Sequence, residues 1–181
     1  MRAEETHIPG VLRITTARFG DARGHFEEIW HSAKFADLGL DAPFVQVNHS
    51  RSDIHVLRGL HFQQRSPQAK LVMAMRGRVF DVAVDLRPSS PTFRQWHGEE
   101  LGEGAPSMLY IPEGCAHGFL TLDGPADLIY LCSDHFDPED DHAVAWNDPD
   151  IGIDWPLAGA KPILSERDAE APSLAAFSLA P

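Results

Sequence analysis

Between residues 11 and 133 the chain reads as short runs of alternating apolar and polar positions, not as helical stripes. Residues 78–86 are the clearest case. Phe80, Val82, Val84 and Leu86 fall on one face and Asp81 and Asp85 on the other, a period of two that predicts a strand. A strand over 70–75 precedes it, joined across Arg76-Gly77. Further strands are predicted over 11–16 and 25–30, around the polar turn 20–24, and over 44–48, 56–63, 92–101, 107–111, 115–122 and 127–133. Only 32–38 reads as an early helix, stopping before Gly39. Residues 151–181 are Pro-rich and irregular, with a short helix near 167–170. Strands this closely spaced, without helices between them, predict an all-β antiparallel β-sandwich or jelly roll with a few short helices. The 181 residues contain no repeat and no linker and read as a single domain.

Composition agrees with many turns. Fourteen Gly and fourteen Pro accompany ten Phe and four Trp. Fifteen Lys and Arg against 27 Asp and Glu give a net charge of −12, a surface that repels nucleic acid and anionic membrane. A small anionic ligand stays compatible if a few basic residues are gathered at one place. No apolar run reaches the length of a membrane span, and the first residues have no apolar signal core. Cys115 and Cys132 sit in apolar stretches and read as buried thiols in a reducing, cytoplasmic setting. Residues 134–150 carry seven acids (Asp134, Asp137, Glu139, Asp140, Asp141, Asp148, Asp150) and no Lys or Arg, which reads as a solvated loop region.

Three stretches carry more chemistry than folding requires. In 56–63, strict alternation puts Arg58, Leu60 and Phe62 on one face and Leu57, Gly59, His61 and Gln63 on the other. In 111–119, a Pro-x-Gly turn precedes His117 and aims its imidazole inward. In the tail, Ser165 caps a short charged segment holding Arg167 and Asp168. The run Pro112-x-Gly114-x-x-His117 resembles the second half of the cupin signature, which belongs to small jelly rolls. The first half is missing, because His61 stands alone where metal-binding cupins carry His-x-His, and no Glu follows at ligand spacing. A jelly roll is therefore expected without a metal site or cofactor, its imidazoles free to move protons.

Longer motifs then resemble one family over nearly the whole chain. They are Arg58-Gly-Leu-His61-Phe-Gln63, Lys70-Leu-Val72, Gly77-x-Val-Phe-Asp-Val-Ala-Val-Asp-Leu-Arg87, Ser90-Pro-Thr-Phe93, Ile111-Pro-Glu-Gly-x-Ala-His117-Gly-Phe119, Trp146-Asn-Asp-Pro149 and Leu164-Ser-x-x-Asp168. Upstream, Phe19-Gly-Asp-x-Arg23-Gly-x-Phe-x-Glu28 and Gln46-x-Asn48-x-Ser50 fit as well. The family is that of the dTDP-4-dehydrorhamnose 3,5-epimerases, which invert C3 and C5 of a nucleotide-linked 4-keto-6-deoxyhexose. The resemblance implies His61 as general base, Asp168 as its orienting carboxylate and Tyr130 as general acid. It places Lys70 and His117 around the sugar, and Arg23, Glu28, Gln46, Asn48 and Arg58 on the nucleotide and diphosphate. Phe136 falls where relatives commonly stack a Tyr on thymine, Arg167 where Lys is usual, and Asp141 where Glu is usual. It also implies a homodimer, with residues 1–50 shared at the interface and the 151–181 tail supplying Asp168. The same build serves narrower enzymes that invert C3 or C5 alone. A non-catalytic sugar-nucleotide-binding cupin would not need His61, Tyr130 and Asp168 together, and a metal-dependent cupin would need the missing His-x-His.

Overall fold

A computed structural model describes residues 1–40, 43–102 and 107–179. Every strand pairing in it is antiparallel, and the architecture is a cupin-type jelly roll. The strands are β1 (Arg2–Glu5), β2 (Leu12–Thr15), β3 (Arg18–Asp21), β4 (Gly24–Glu27), β5 (Gln46–Ser52), β6 (Leu57–Gln63), β7 (Lys70–Asp85), β8 (Trp96–Gly102), β9 (Ser107–Ile111), β10 (Cys115–Cys132) and β11 (Asp141–Ala143). Two short helices, α1 (Ser32–Ala36) and α2 (Glu166–Ala169), fall where the sequence predicts them. β1, β3 and β11, of four, four and three residues, are not predicted, and β3 runs into the stretch 20–24 that reads as a turn.

Strands β7 and β10 are the spine. Each is predicted as two strands and each is one, of 16 and 18 residues, paired with the other along its length. Their halves have different outer neighbours. The first half of β7 pairs with β9 and the second with β8; the first half of β10 pairs with β6 and the second with β5. Gly77 marks the bend, with φ of +71° and the Asp123 and Pro125 carbonyls so close that a Cβ would lie 2.8 and 2.9 Å from them. The period of two shifts there. Val72 before the bend and Val79 and Ala83 after it all face the inner core with Leu109, Phe119 and Leu128. Leu71 and Met73 face a second cluster under α1, and Val82, Val84 and Leu86 face a third, covered by Trp155, Leu174 and other tail residues.

The second shift fixes the site. Strict alternation would put Leu57 with His61, yet Leu57, Leu60 and Phe62 all pack in the third cluster and His61 points the other way. The pairing of β6 with β10 slips between His117 and Phe119, opposite Gly59. Gly59 has φ of +112°, and a Cβ on it would stand 2.6 Å from the Gly118 Cα and 2.7 Å from the His117 carbonyl. Only two glycines can cross this closely.

The acidic stretch 134–150 is not simply solvated. Asp140 and Asp148 are buried. Asp140 accepts the backbone N–H groups of Arg65 and Ser66 at 2.7 and 2.9 Å, and Asp148 accepts that of Leu174 at 2.7 Å. A carboxylate can enter the interior when backbone donors replace its water, and these two acids tie the loop to its neighbours. Both cysteines are buried and free, and burial pushes the Cys115 thiol up to about 12. Among the described residues no helix is long and apolar enough to cross a membrane.

Gly59→Ala is expected to lose about 2–4 kcal/mol of stability, from a strained positive φ and a backbone contact that cannot relax. Denaturant unfolding checks this. A midpoint equal to that of the wild type would remove the crossing as the cause of the His61 orientation.

Candidate active site

The inner core stops short of one end of the barrel and leaves an open cavity of about 260 Å³. Its lining comes from β5, β6, β7, β10 and β11, from the connections between them and from the tail. Gln46 and Asn48 stand on β5, His61 and Gln63 on β6, Lys70 on β7, and Tyr130 on β10, with Phe136, Asp141 and Arg167 at the mouth. Eight residues that the sequence singles out for the site thus line one cavity, together with Gln63.

His61 is the most constrained. Its Nε2 lies 2.6 Å from Asp168 Oδ1. An ionised carboxylate only accepts, so Nε2 carries the proton and Nδ1 keeps the lone pair. Asp168 is buried and reaches His61 because the tail is pinned on both sides of it. Before it, Ile163 bonds the backbone of His55 and Leu57 in a short parallel bridge beside Val56. After it, Ala145 N–H donates to the Pro172 carbonyl and Leu174 N–H to Asp148. Ser165 caps α2 as predicted, accepting the Asp168 N–H at 3.1 Å. Burial pushes the Asp168 carboxyl up, but the hydrogen bond and charge of His61, with Ser165 and the Gly59 N–H, outweigh it and hold the group below its ordinary value.

Tyr130 and Lys70 are tuned in opposite senses by one cause. Burial raises the phenol, Cys132 and Asp141 add to this, and Arg58 opposes it, so Tyr130 stays protonated near neutral pH. Burial lowers the Lys70 ammonium against the pull of Cys132, Asp141 and Asp81. Cys132 pairs with Lys70 in the β7–β10 register, and its sulfur accepts from Asn48 at 3.6 Å. At the mouth Arg167 Nη1 holds Asp141 Oδ2 at 2.6 Å.

Four expected residues lie elsewhere. His117 is buried and does not line the cavity; its Nε2 binds Asp81 Oδ1 at 2.7 Å, and its ring stands 6.3 Å from that of Tyr130. Arg58 lies outside the lining, with Nε on Ser52 Oγ at 3.0 Å. Arg23 and Glu28 are not brought to the cavity. Arg23, 89% exposed, pairs with Asp21 inside the separate β3–β4 hairpin, and Glu28 pairs with Lys34. Of the basic residues that the resemblance singles out, Arg23, Arg58, Lys70 and Arg167, only Lys70 and Arg167 line the cavity within one chain. Sequence reasoning missed Asp81 and Gln63 as partners of site groups. The signal for Asp81 was an acid inside an otherwise apolar strand; the signal for Gln63 was its place two residues after His61.

The Asp168 carboxyl should titrate below its usual 3.8. Its folded value is depressed, so its contact contributes stability that is full above the unfolded value and lost as pH falls through the folded one. Carbon NMR of the carboxyl should show the midpoint rising in His61→Ala, where burial is no longer offset. An unmoved midpoint would show that His61 does not hold the carboxylate.

Comparison with known proteins gives a consistent set of relatives. A family model described as dTDP-4-dehydrorhamnose 3,5-epimerase matches residues 5–176. The protein of that name from Pseudomonas aeruginosa is 47% identical over 176 residues, covering 97% of each chain. A 3,5-epimerase from Legionella pneumophila, solved with dTDP-4-keto-L-rhamnose, superposes with a TM-score of 0.94 at 42% identity, covering 98% of this chain and 94% of its own. A 4-keto-6-deoxy sugar epimerase from Streptomyces spheroides gives a TM-score of 0.92 at 41% identity, covering 97% and 88%.

Proposed function

This chain belongs to the dTDP-4-dehydrorhamnose 3,5-epimerase family, and we propose that it inverts C3 and C5 of a dTDP-4-keto-6-deoxyhexose with His61 as base and Tyr130 as acid. It is an isomerase of dTDP-L-rhamnose or related deoxysugar biosynthesis. The observation that carries the residue roles is the His61–Asp168 pair at 2.6 Å in a cavity it shares with Tyr130 and Lys70.

The C3 and C5 protons are acidic only because the C4 ketone can take the charge as an enolate. His61 Nδ1 removes a proton and becomes imidazolium, which Asp168 stabilises and keeps oriented. Lys70 stands for the growing charge on the C4 oxygen, a contribution of about 3–4 kcal/mol by analogy with one oxyanion donor. Tyr130 returns a proton to the other face of the ring, which inverts the centre; its raised phenol keeps that proton in place until it is needed. Phe136 offers a half-exposed ring for the base to stack on, and Arg167 at the mouth takes the diphosphate. Arg23 and Glu28 serve the site of a second copy in a homodimer. That reading is supported by their absence from the cavity lining in their own chain and by the exposed Phe19 and Phe26 of the β3–β4 hairpin. The two free, buried thiols fit a cytoplasmic enzyme.

Proton NMR with dTDP-4-keto-6-deoxyglucose in D2O separates the two proton transfers. His61→Ala should abolish both deuterium entry and inversion, whereas Tyr130→Phe should keep deuterium entry and lose inversion by a larger factor. Fast exchange at C3 and C5 in His61→Ala would show another base. Equal loss of exchange and inversion in Tyr130→Phe would move the phenol from reprotonation to enolate formation or binding.

Phe136→Ala should weaken dTDP binding by about 1–3 kcal/mol, the range for a lost base–aromatic stack, and Phe136→Tyr should bind nearly as the wild type. Calorimetric titration reads both, and unchanged affinity in Phe136→Ala would remove the ring from the site.

A further inference from the structure

The Phe136 ring is 52% exposed, so packing does not orient it. What holds it is backbone. The N–H of Phe136 donates to Gln46 Oε1 at 2.9 Å, and the next N–H, of Asp137, donates to Gln63 Oε1 at 2.9 Å. Gln63 is buried, and its amide nitrogen donates to the Ser66 carbonyl at 2.7 Å and to the His135 carbonyl at 3.4 Å. The orientation of this amide is fixed by chemistry, since an N–H partner demands the oxygen and two carbonyl partners demand the nitrogen. One side chain thus bonds three backbone groups on two loops, the 64–69 connection and the 133–140 connection. The same loops are joined again by Gln68 on the Asp134 carbonyl, Asp140 on the Arg65 and Ser66 N–H groups, and Ser133 on the Ala69 N–H.

We propose that Gln63 is a positioning residue for the nucleotide, fixing the Phe136 loop at the cavity mouth so that the exposed ring is held ready for the base. This rests on Phe136 being the stacking platform. Gln63 sits two residues after His61 on one face of β6, so a single strand sets both the proton-transfer group and the height of the ring. Gln46 holds the adjacent N–H but also donates to Asn48 on its own strand, and it bonds only one of the two loops. Gln63 is the side chain that bonds both. Without it, binding must order the loop as well as stack the base.

The test uses dTDP as the probe in calorimetry, with Gln63→Met, which keeps length and removes all three bonds, and Gln63→Glu, which keeps the acceptor for Asp137 and removes the donors. Gln63→Met should weaken dTDP by about two- to tenfold, the cost of ordering one or two freed groups, and Gln63→Glu should weaken it too. KM should rise more than kcat falls, and hydrogen exchange at the Phe136 and Asp137 amides should quicken. In a Phe136→Ala background neither Gln63 variant should weaken dTDP further, since there is no ring left to position. An equal loss in both backgrounds would overturn the proposal, because Gln63 would then act on the nucleotide or the fold directly. Full affinity in both Gln63 variants would overturn it as well. Should Gln63→Met not fold, the amide exchange and affinity of Gln63→Glu carry the same decision. Unchanged affinity in Phe136→Ala alone would remove the platform first and this proposal with it, which is a separate and recognisable failure.

Discussion

The crossing of Gly59 over Gly118 is the constraint on which the site depends. A strand has only two faces, and a residue changes face only where the pairing slips. Here the slip sits between two backbones too close for any Cβ. It sends Leu60 and Phe62 to the cluster beneath the tail and His61 and Gln63 to the cavity. The bend at Gly77 does the equivalent in β7, so that Lys70, Val72, Val79 and Ala83 all face inward although their numbers differ in parity. Two backbone irregularities therefore select which side chains line the cavity.

This explains what could be read from the residues and what could not. The strand-rich architecture, both helices and the Ser165 cap follow from local pattern and appear in the structure. The faces of 80–86 were legible because no irregularity interrupts them. The faces of 56–63 are legible after the slip, where Leu60 and Phe62 oppose His61 and Gln63, but not before it, because alternation carries no mark of a slip except the glycine itself. From sequence alone the two long strands look like four, since a Gly or Pro in a strand resembles a turn when the partner strand is unknown. His61, Tyr130, Lys70, Phe136, Asp141 and Arg167 were found through motif resemblance, and they share one cavity. Asp81 and Gln63 act on backbone or on another site residue, and such roles leave only a faint trace in a single sequence.

Burial of charge is the second theme. Asp81, Asp85, Asp140, Asp148 and Asp168 are all buried in a chain of net charge −12. Each meets at least one donor, although Asp81, bonded to His117 through Oδ1, leaves its buried Oδ2 without a partner. Asp85 accepts from Arg87, Ser90 and Thr92 and is lowered to about 2, burial opposing and those bonds prevailing. The acids that look like surplus surface charge in the composition are in part the internal ties of the loops and the tail.

The Asp168–His61 bond also has a temporal side. Its partners lie 107 residues apart in the chain. At roughly 5–20 residues per second of synthesis, His61 emerges several seconds before the carboxylate that will orient it exists. Strands β6, β7 and β10 all precede residue 133, so the partner of the imidazole comes from a part of the chain made after the strands that carry it. The orientation of His61 is therefore a property of the whole chain and not of the sheet alone.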